Sequence, residues 1–473
     1  MKKKPWLCAL EAGIFVLLLA VLLPMLSGVM QRKESRNLFG TFLEEPQSYD
    51  VLFFGDSRLM NAMLPLESWN DYGIAGYNLS CYGNLMPVSY WTMMNALDYA
   101  EPKLVVFAVN DIHEPRKTTR YSSDLHTALD FWPLSRTKMR AIEDLMHDDE
   151  NPENKDNHGD DFQDIKWEFY ATLGKYHSRW SELTKDDFRP EPEDSRGGEI
   201  LTGLHPYWEY DIIDDDQYAE EVGYGFHYLR RTLDECQSRG IDVLLVNLPE
   251  PGTINAQKSA NTVGSIAEEY GVHYVDLARM DSVVDYAVDC YDEQPHLNAS
   301  GTQKVTAYLG SYIREHYDIP DRRGEAGYAH WDRMHHAFVN EKTDRLRKLT
   351  ELNNVLVFLN DRDYDIRMAV GADAPLFYDA LGGLLMHNLA RENVLVGEEY
   401  EKWSNAMYPL AGFDEAMWEC LPYYLHRKDG AAWEQTGDEA ERMRKEVFGD
   451  DPAQVLIEVI DRRTGEQAAS FRF

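Results

Sequence analysis

The sequence predicts an α/β protein in which a five-stranded parallel sheet flanked by helices is followed by a smaller α+β domain. Three observations predict it. Apolar runs of strand length alternate with helical segments up to about residue 318, the pattern that builds a parallel sheet with helices on both faces. The third of these runs, residues 103–109 (KLVVFAV), is almost wholly apolar, as a central strand buried on both faces must be. Beyond residue 330 the alternation stops, and the chain closes on VLIEVIDRR and ASFRF around Thr464-Gly465, a hairpin pattern.

The elements follow in order. Residues 51–54 (VLFF) form a first strand, too short for a helix and closed by Gly55. The turn Gly55-Asp56-Ser57 then places a serine at the carboxyl end of that strand, where open α/β sheets hold their chemistry. Residues 76–79 (GYNL) read as a second strand, ending in Ser80-Cys81-Tyr82-Gly83-Asn84. Residues 87–100 read as a helix with Pro87 in its first turn, and Asn110-Asp111 end the third strand.

Periodicity is then lost. Residues 112–215 are a long insertion whose HDDENPENKDNHGDDFQD section has the low hydrophobicity of a mobile loop. Aromatic-rich pieces around it, DLHTALDFWPLSRTKM (124–139) and YHSRW (176–180), suggest a lid or substrate wall. Alternation resumes with a helix at 218–239 stopped by Gly240, a strand at 241–248, a helix at 257–270, a strand at 272–277 and a helix at 299–317. Residues 320–327 (PDRRGEAG) read as a linker. Residues 330–473 then carry an amphipathic helix, the runs 355–360 (VLVFLN) and 364–370 (YDIRMAV), and the terminal hairpin.

The domain organisation expected is therefore an anchor at 1–35, an α/β domain at 36–325 and a C-terminal α+β domain at 330–473. The anchor is the uncharged run 12–30, which is long enough to cross a hydrocarbon core of about 30 Å. Lys2, Lys3 and Lys4 precede it, and Arg32, Lys33 and Arg36 follow. The N-terminal lysines favour a cytoplasmic start, with the rest of the chain outside. A cleaved signal peptide is the competing reading. The run exceeds a usual signal core, and Leu26-Ser27-Gly28 is a poor cleavage site.

A formal charge of −35 over 473 residues argues against nucleic-acid binding, because a polyanion would be repelled. The five cysteines form no CxxC pair, which indicates neither a zinc site nor a disulfide scaffold. Cys81, Cys236, Cys290 and Cys420 could pair in an exported domain, and the sequence leaves that open. His335-His336 lacks a ligand companion at helical spacing and no HExxH occurs, so neither a metal nor another cofactor is expected.

Acyl transfer needs a nucleophile, a base, a group that orients the base, and donors for the oxyanion. Ser57 is the candidate nucleophile. The Gly83 N–H and the Asn110 side-chain amide stand just past the second and third strands. His296, in the loop YDEQPHLNASG (291–301), has Asp292 and Glu293 close by, and such an acid holds the imidazole tautomer. Asn298 reads as the cap of the next helix. Singly, each residue has an ordinary reading as a turn or cap. Together, in order and at strand ends, they form a site. Arg58, His113 and Arg179 are further substrate-binding candidates.

GDS at 55–57, NLSCYG at 78–83, AVND at 108–111 and HLN at 296–298 resemble the four blocks of the SGNH (GDSL-type) hydrolases over about residues 48–318. The resemblance implies a flavodoxin-like sheet, with Ser57 as nucleophile, Gly83 and Asn110 as oxyanion donors and His296 as base. Two positions depart from the family pattern. Ala108 replaces the glycine of the third block, and the acid normally stands three residues before the histidine, where Glu293 is. Asp292 is preferred for its shorter side chain, with Pro295 accommodating the extra residue.

One anchor with an extracytoplasmic domain of this kind resembles a narrower group of bacterial cell-surface polymer modifiers. It includes teichoic-acid D-alanylation and alginate and peptidoglycan O-acetylation proteins, which work beside a multi-spanning membrane-bound O-acyltransferase. The resemblance implies a serine acyltransferase or esterase acting on a cell-surface glycan. A non-catalytic scaffold or glycan-binding component with the same fold is the alternative.

Overall fold

The computed structural model describes the chain apart from residues 1–4, 32–38, 148–154, 156–157, 160, 189–194, 208–211, 281–282, 295, 372–373, 375–384, 386–388, 390–421 and 430. Pro295, Cys420, the charges after the apolar run and much of the acidic stretch 147–164 therefore lie outside the described residues.

The chain begins with α1 (Pro5–Met30), whose segment Ala9–Met30 is long and apolar enough to cross a membrane, a description that a signal sequence also fits. β1 (Val51–Phe54) leads into the single turn α2 (Ser57–Met60), then α3 (Pro65–Tyr72), β2 (Gly76–Asn78), α4 (Met86–Ala96) and β3 (Leu104–Ala108). The insertion folds as α5 (Ser122–Leu129), α6 (Arg136–Met146), α7 (Phe162–Tyr170), α8 (Thr172–Tyr176), a 3-10 turn (His177–Ser181) and α9 (Lys185–Phe188). The first sheet is completed by α10 (Tyr224–Arg239), β4 (Asp242–Asn247), α11 (Ile254–Tyr270), β5 (His273–Asp276) and α12 (Ala299–His316).

This sheet is entirely parallel, in the order β2-β1-β3-β4-β5. That order is shared by doubly wound sheets whose ligands sit at the β1/β3 switch point. Successive side chains point to opposite faces. Leu52, Phe54, Val105, Phe107, Val243 and Leu245 thus join one core with α4, α10 and α11. Val51, Phe53, Leu104, Val106, Leu244 and Val246 join another with α12.

Residues 329–473 add α13 (Ala329–Leu346), α14 (Leu352–Phe358), β6 (Tyr364–Val370), β7 (Tyr423–Lys428), β8 (Ala431–Thr436), α15 (Gly437–Phe448), β9 (Val455–Asp461) and β10 (Gln467–Arg472). Their sheet is antiparallel, in the order β10-β9-β6-β7-β8. The expected hairpin is β9–β10, with Gly465 at φ 70° in its turn. The run 355–360 falls mainly in α14, buried from Val355 to Phe358, where apolar content alone does not distinguish helix from strand. Cys81, Cys236 and Cys290 are buried free thiols, and burial pushes all three pKa values up.

The segment 320–327 is docked rather than loose. Arg322 donates to both oxygens of Asp50, at 2.8 and 2.9 Å. Beyond it, α13 packs on α3, and one apolar core runs from the parallel sheet into β6 and β9. At this junction the buried Lys342 ammonium donates to Glu67 of α3 and, at 2.6 Å each, to Asp361 and Asp363 ahead of β6. Burial favours its neutral form, but the three carboxylates outweigh that and hold it charged. Glu67, His335 and Asp363 converge closely enough to hold a metal, and Lys342 already supplies a cation to two of them.

Replacing Lys342 by Met leaves those carboxylates buried without their cation. Removing one partner of a buried ion pair costs about 3–5 kcal/mol. Lys342→Met should therefore lower the thermal midpoint sharply, and a midpoint unchanged in calorimetry would contradict the role given to this cluster.

Candidate active site

The Ser57 side chain is placed by its neighbours. Asp56 caps α2, its carboxylate accepting from the Arg58 N–H at 3.0 Å, which sets Ser57 at the start of the turn. The β2 end is set by Asn78, whose amide donates to the carbonyls of Leu59 and Met63 and accepts from the Ser80 N–H. The turn that follows brings Gly83 to the same cavity in the left-handed region, at φ 60°. A Cβ there would meet Asp124 Oδ2 at 3.1 Å.

His296 arrives from the opposite end of the sequence. The Ser57 Oγ lies 2.8 Å from His296 Nε2, and His296 Nδ1 lies 2.8 and 3.0 Å from the two Asp292 oxygens. Asp292 Oδ1 also accepts from the backbone N–H groups of Gln294 and His296, at 3.0 and 3.2 Å. Partial burial acts to raise the Asp292 pKa, but the His296 ring and these donors outweigh it and hold the carboxyl below its ordinary value. Glu293 is exposed. The structure thus brings Asp292, and not Glu293, against His296.

A polar lock behind the loop fixes it. Asn298 accepts from the Ser300 and Gly301 N–H groups and donates to the carbonyls of Val288 and Cys290. The fully buried Asp289 accepts from Ser300 Oγ at 2.6 Å and Lys304 Nζ at 2.7 Å. Asn360, ahead of β6, donates to Ser300 Oγ at 2.6 Å. Sequence reasoning found the Asn298 cap. It missed Asp289, Lys304 and Asn360, and the i,i+4 spacing of Ser300 and Lys304 on one helix face was the available signal.

Three expected residues are placed differently. Asn110 closes both ends of its amide on Leu248, donating to the carbonyl at 3.0 Å and accepting from the N–H at 2.9 Å. It braces β3 against β4 and does not line the cavity. His113 is exposed and also stands outside the cavity lining. Arg179 donates at 2.7 Å to the carbonyls of Met30 and Gln31, at the end of α1. Its charge is spent on a helix end, away from Ser57.

Arg58 lines the cavity, but its guanidinium is shared among Asp56, Asp111 and Glu250. Burial favours its neutral form, and the three carboxylates more than reverse that. The cavity, about 690 Å³, is lined by Asp56, Asp111, Asp124, Glu199, Glu250 and Asp292 against Arg58 and Arg120. The insertion contributes Arg120, Tyr121 and Asp124 to this wall. Its lining therefore favours neutral or cationic ligands over anions.

No family model matches the chain, and no curated protein matches it.

Asp111 shows the strain of this acidity. Burial raises its pKa, Arg58 lowers it, and Asp56 and Glu250 raise it again, leaving it pushed up to about 6. A raised carboxyl stabilises the fold below its unfolded pKa, and that contribution is lost as pH rises through about 6. Asp111→Asn has no such proton to lose. Its thermal midpoint relative to the wild type should rise between pH 5 and pH 8, and a difference independent of pH would refute the assignment.

Proposed function

We propose that this chain is a membrane-anchored, extracytoplasmic serine acyltransferase or esterase of the SGNH (GDSL-type) class, acting on a cell-surface polysaccharide or teichoic-acid-like polymer. One observation carries the proposal: the line Ser57 Oγ, His296 Nε2, His296 Nδ1 and Asp292, with both steps at 2.8 Å. In it, His296 takes the Ser57 proton as Oγ attacks an ester carbonyl, and Asp292 stabilises the imidazolium. The oxyanion rests on the Ser57 and Gly83 N–H groups. Asn110 joins them only by releasing Leu248. His296 then returns the proton to the leaving alcohol. A sugar hydroxyl or water resolves the acyl-serine.

The acidic lining weighs against a phosphate-rich acceptor and supports an uncharged polysaccharide. A single apolar helix cannot line a passage for acyl groups, and acyl-coenzyme A is cytoplasmic. The acyl group therefore comes from a multi-spanning membrane-bound O-acyltransferase beside the anchor, or the chain only removes groups already present. The engaged Asn110 amide is the observation that favours the alternative, a non-catalytic scaffold or glycan-binding component on the same fold.

A chromogenic acetyl ester separates the two readings. Full-length enzyme should turn it over, Ser57→Ala should abolish turnover, and Asp292→Asn should reduce it by about 10⁴-fold. Glu293→Gln should change little. Wild-type chain without serine-dependent turnover would support the scaffold. In cells, Ser57→Ala should leave the surface polymer under-acylated, whereas a more heavily acylated polymer would identify an esterase.

A further inference from the structure

The surface of α1 changes character along its length. Its side chains from Ala9 to Leu26 are exposed, whereas Ser27, Gly28 and Val29 are half-buried and Met30 is buried. At this end α1 meets α8, the 3-10 turn and α9 of the insertion. Ser27 Oγ lies 2.5 Å from Thr172 Oγ1. Arg179 donates to the carbonyls of Met30 and Gln31, at 2.7 Å each. The last carbonyls of a helix have no partner within it and form the negative end of its dipole, so a guanidinium is the fitting cap. Asp187 holds Arg179 from α9 at 3.3 Å and accepts from the Thr184 N–H at 2.6 Å. The helix end, the 3-10 turn and α9 are thereby tied together.

Three large aromatic side chains stand out from these elements and from α7 beside them. Trp180 is 72% exposed, Phe188 64% and Trp167 54%. The Trp167 ring lies over Gly174 of α8, where a Cβ would come within 2.1 Å of it. Single exposed apolar residues are ordinary. Here Trp180 and Phe188 belong to the elements that grip α1, and Trp167 to the helix packed on them.

We infer that these residues form a lipid-facing rim that seats the chain on the bilayer where α1 leaves it, with Trp180 as its main anchor. The inference rests on α1 being embedded in a membrane, as proposed above. The uncovered stretch 9–26 needs hydrocarbon around it, so the change at Ser27 marks the membrane surface and puts the rim at headgroup depth. Tryptophan concentrates at that depth because its ring is apolar and its N–H polar. A chain of net charge −35 gains little from anionic headgroups, which makes aromatic seating the available mode. Between the rim and Ser57 lies a second cavity, lined by Lys175 and Arg179 and sharing Tyr82 and Asp124 with the catalytic one. Seating the rim therefore sets the height of the catalytic mouth above the membrane.

The test uses full-length chain in vesicles of phosphatidylcholine, with and without bromine on the acyl chains, in a Trp6→Phe background that silences the far end of α1. Bromolipid should quench the remaining tryptophan fluorescence, and adding Trp180→Phe should remove most of that quenching. Ester turnover by the Trp180→Phe chain should be retained, which reports that it is folded. An embedded chain whose quenching is absent, or is unchanged by both Trp180→Phe and Trp167→Phe, would overturn the rim alone, as expected if a protein partner covers these residues. A chain that does not float with the vesicles would overturn the anchor, and the rim with it.

Discussion

A parallel sheet has to be covered on both faces, because its strands send apolar side chains alternately to each side. Here that requirement places α4, α10 and α11 on one face and α12 on the other. It leaves the carboxyl ends of the strands as the free edge of the layered structure. Ser57 after β1, Gly83 after β2 and Glu250 after β4 all reach one cavity at that edge. The insertion leaves from the same edge, after β3, and so supplies a wall to the cavity without interrupting a core.

Position at the edge does not by itself orient an imidazole. The His296 loop is held by a chain of polar contacts that runs from Asn298 through Asp289, Ser300 and Lys304 to Asn360. Burying Asp289 and Lys304 is tolerable because each satisfies the other, where either alone would be costly. The contact with Asn360 ties the loop to the segment that precedes the second sheet. Lys342 makes the same connection on a larger scale, joining α3 to the start of β6. The C-terminal part of the chain therefore supports the candidate site from behind, although none of its described residues lines the cavity.

Charge is distributed unevenly over the arginines. Arg58, beside the serine, is neutralised by three carboxylates and keeps the surplus of negative charge in the cavity from being larger still. Arg179 serves a helix end. Neither is a free anion receptor. Both show how a basic residue that the sequence offers as a substrate contact is recruited first by the unsatisfied groups nearest to it.

Local chemistry made much of this legible in the sequence. The apolar runs determine the strands of the parallel sheet, Gly-Asp-Ser places the serine at a strand end, and Asn298 signals the start of α12. Thr464-Gly465 marks the terminal hairpin in the same way. These features depend on neighbours within a few residues, which is why they can be read in order along the chain. The choice between Asp292 and Glu293, the engagement of Asn110 with Leu248, and the captures of Arg58 and Arg179 were decided only in three dimensions. Each depends on a partner or an orientation that sequence spacing does not encode: Ser57 and His296 are 239 residues apart, and Arg179 and Met30 are 149 apart. Which carboxylate, carbonyl or amide a polar side chain satisfies is settled by packing, because the cost of leaving it unpaired arises only once it is buried.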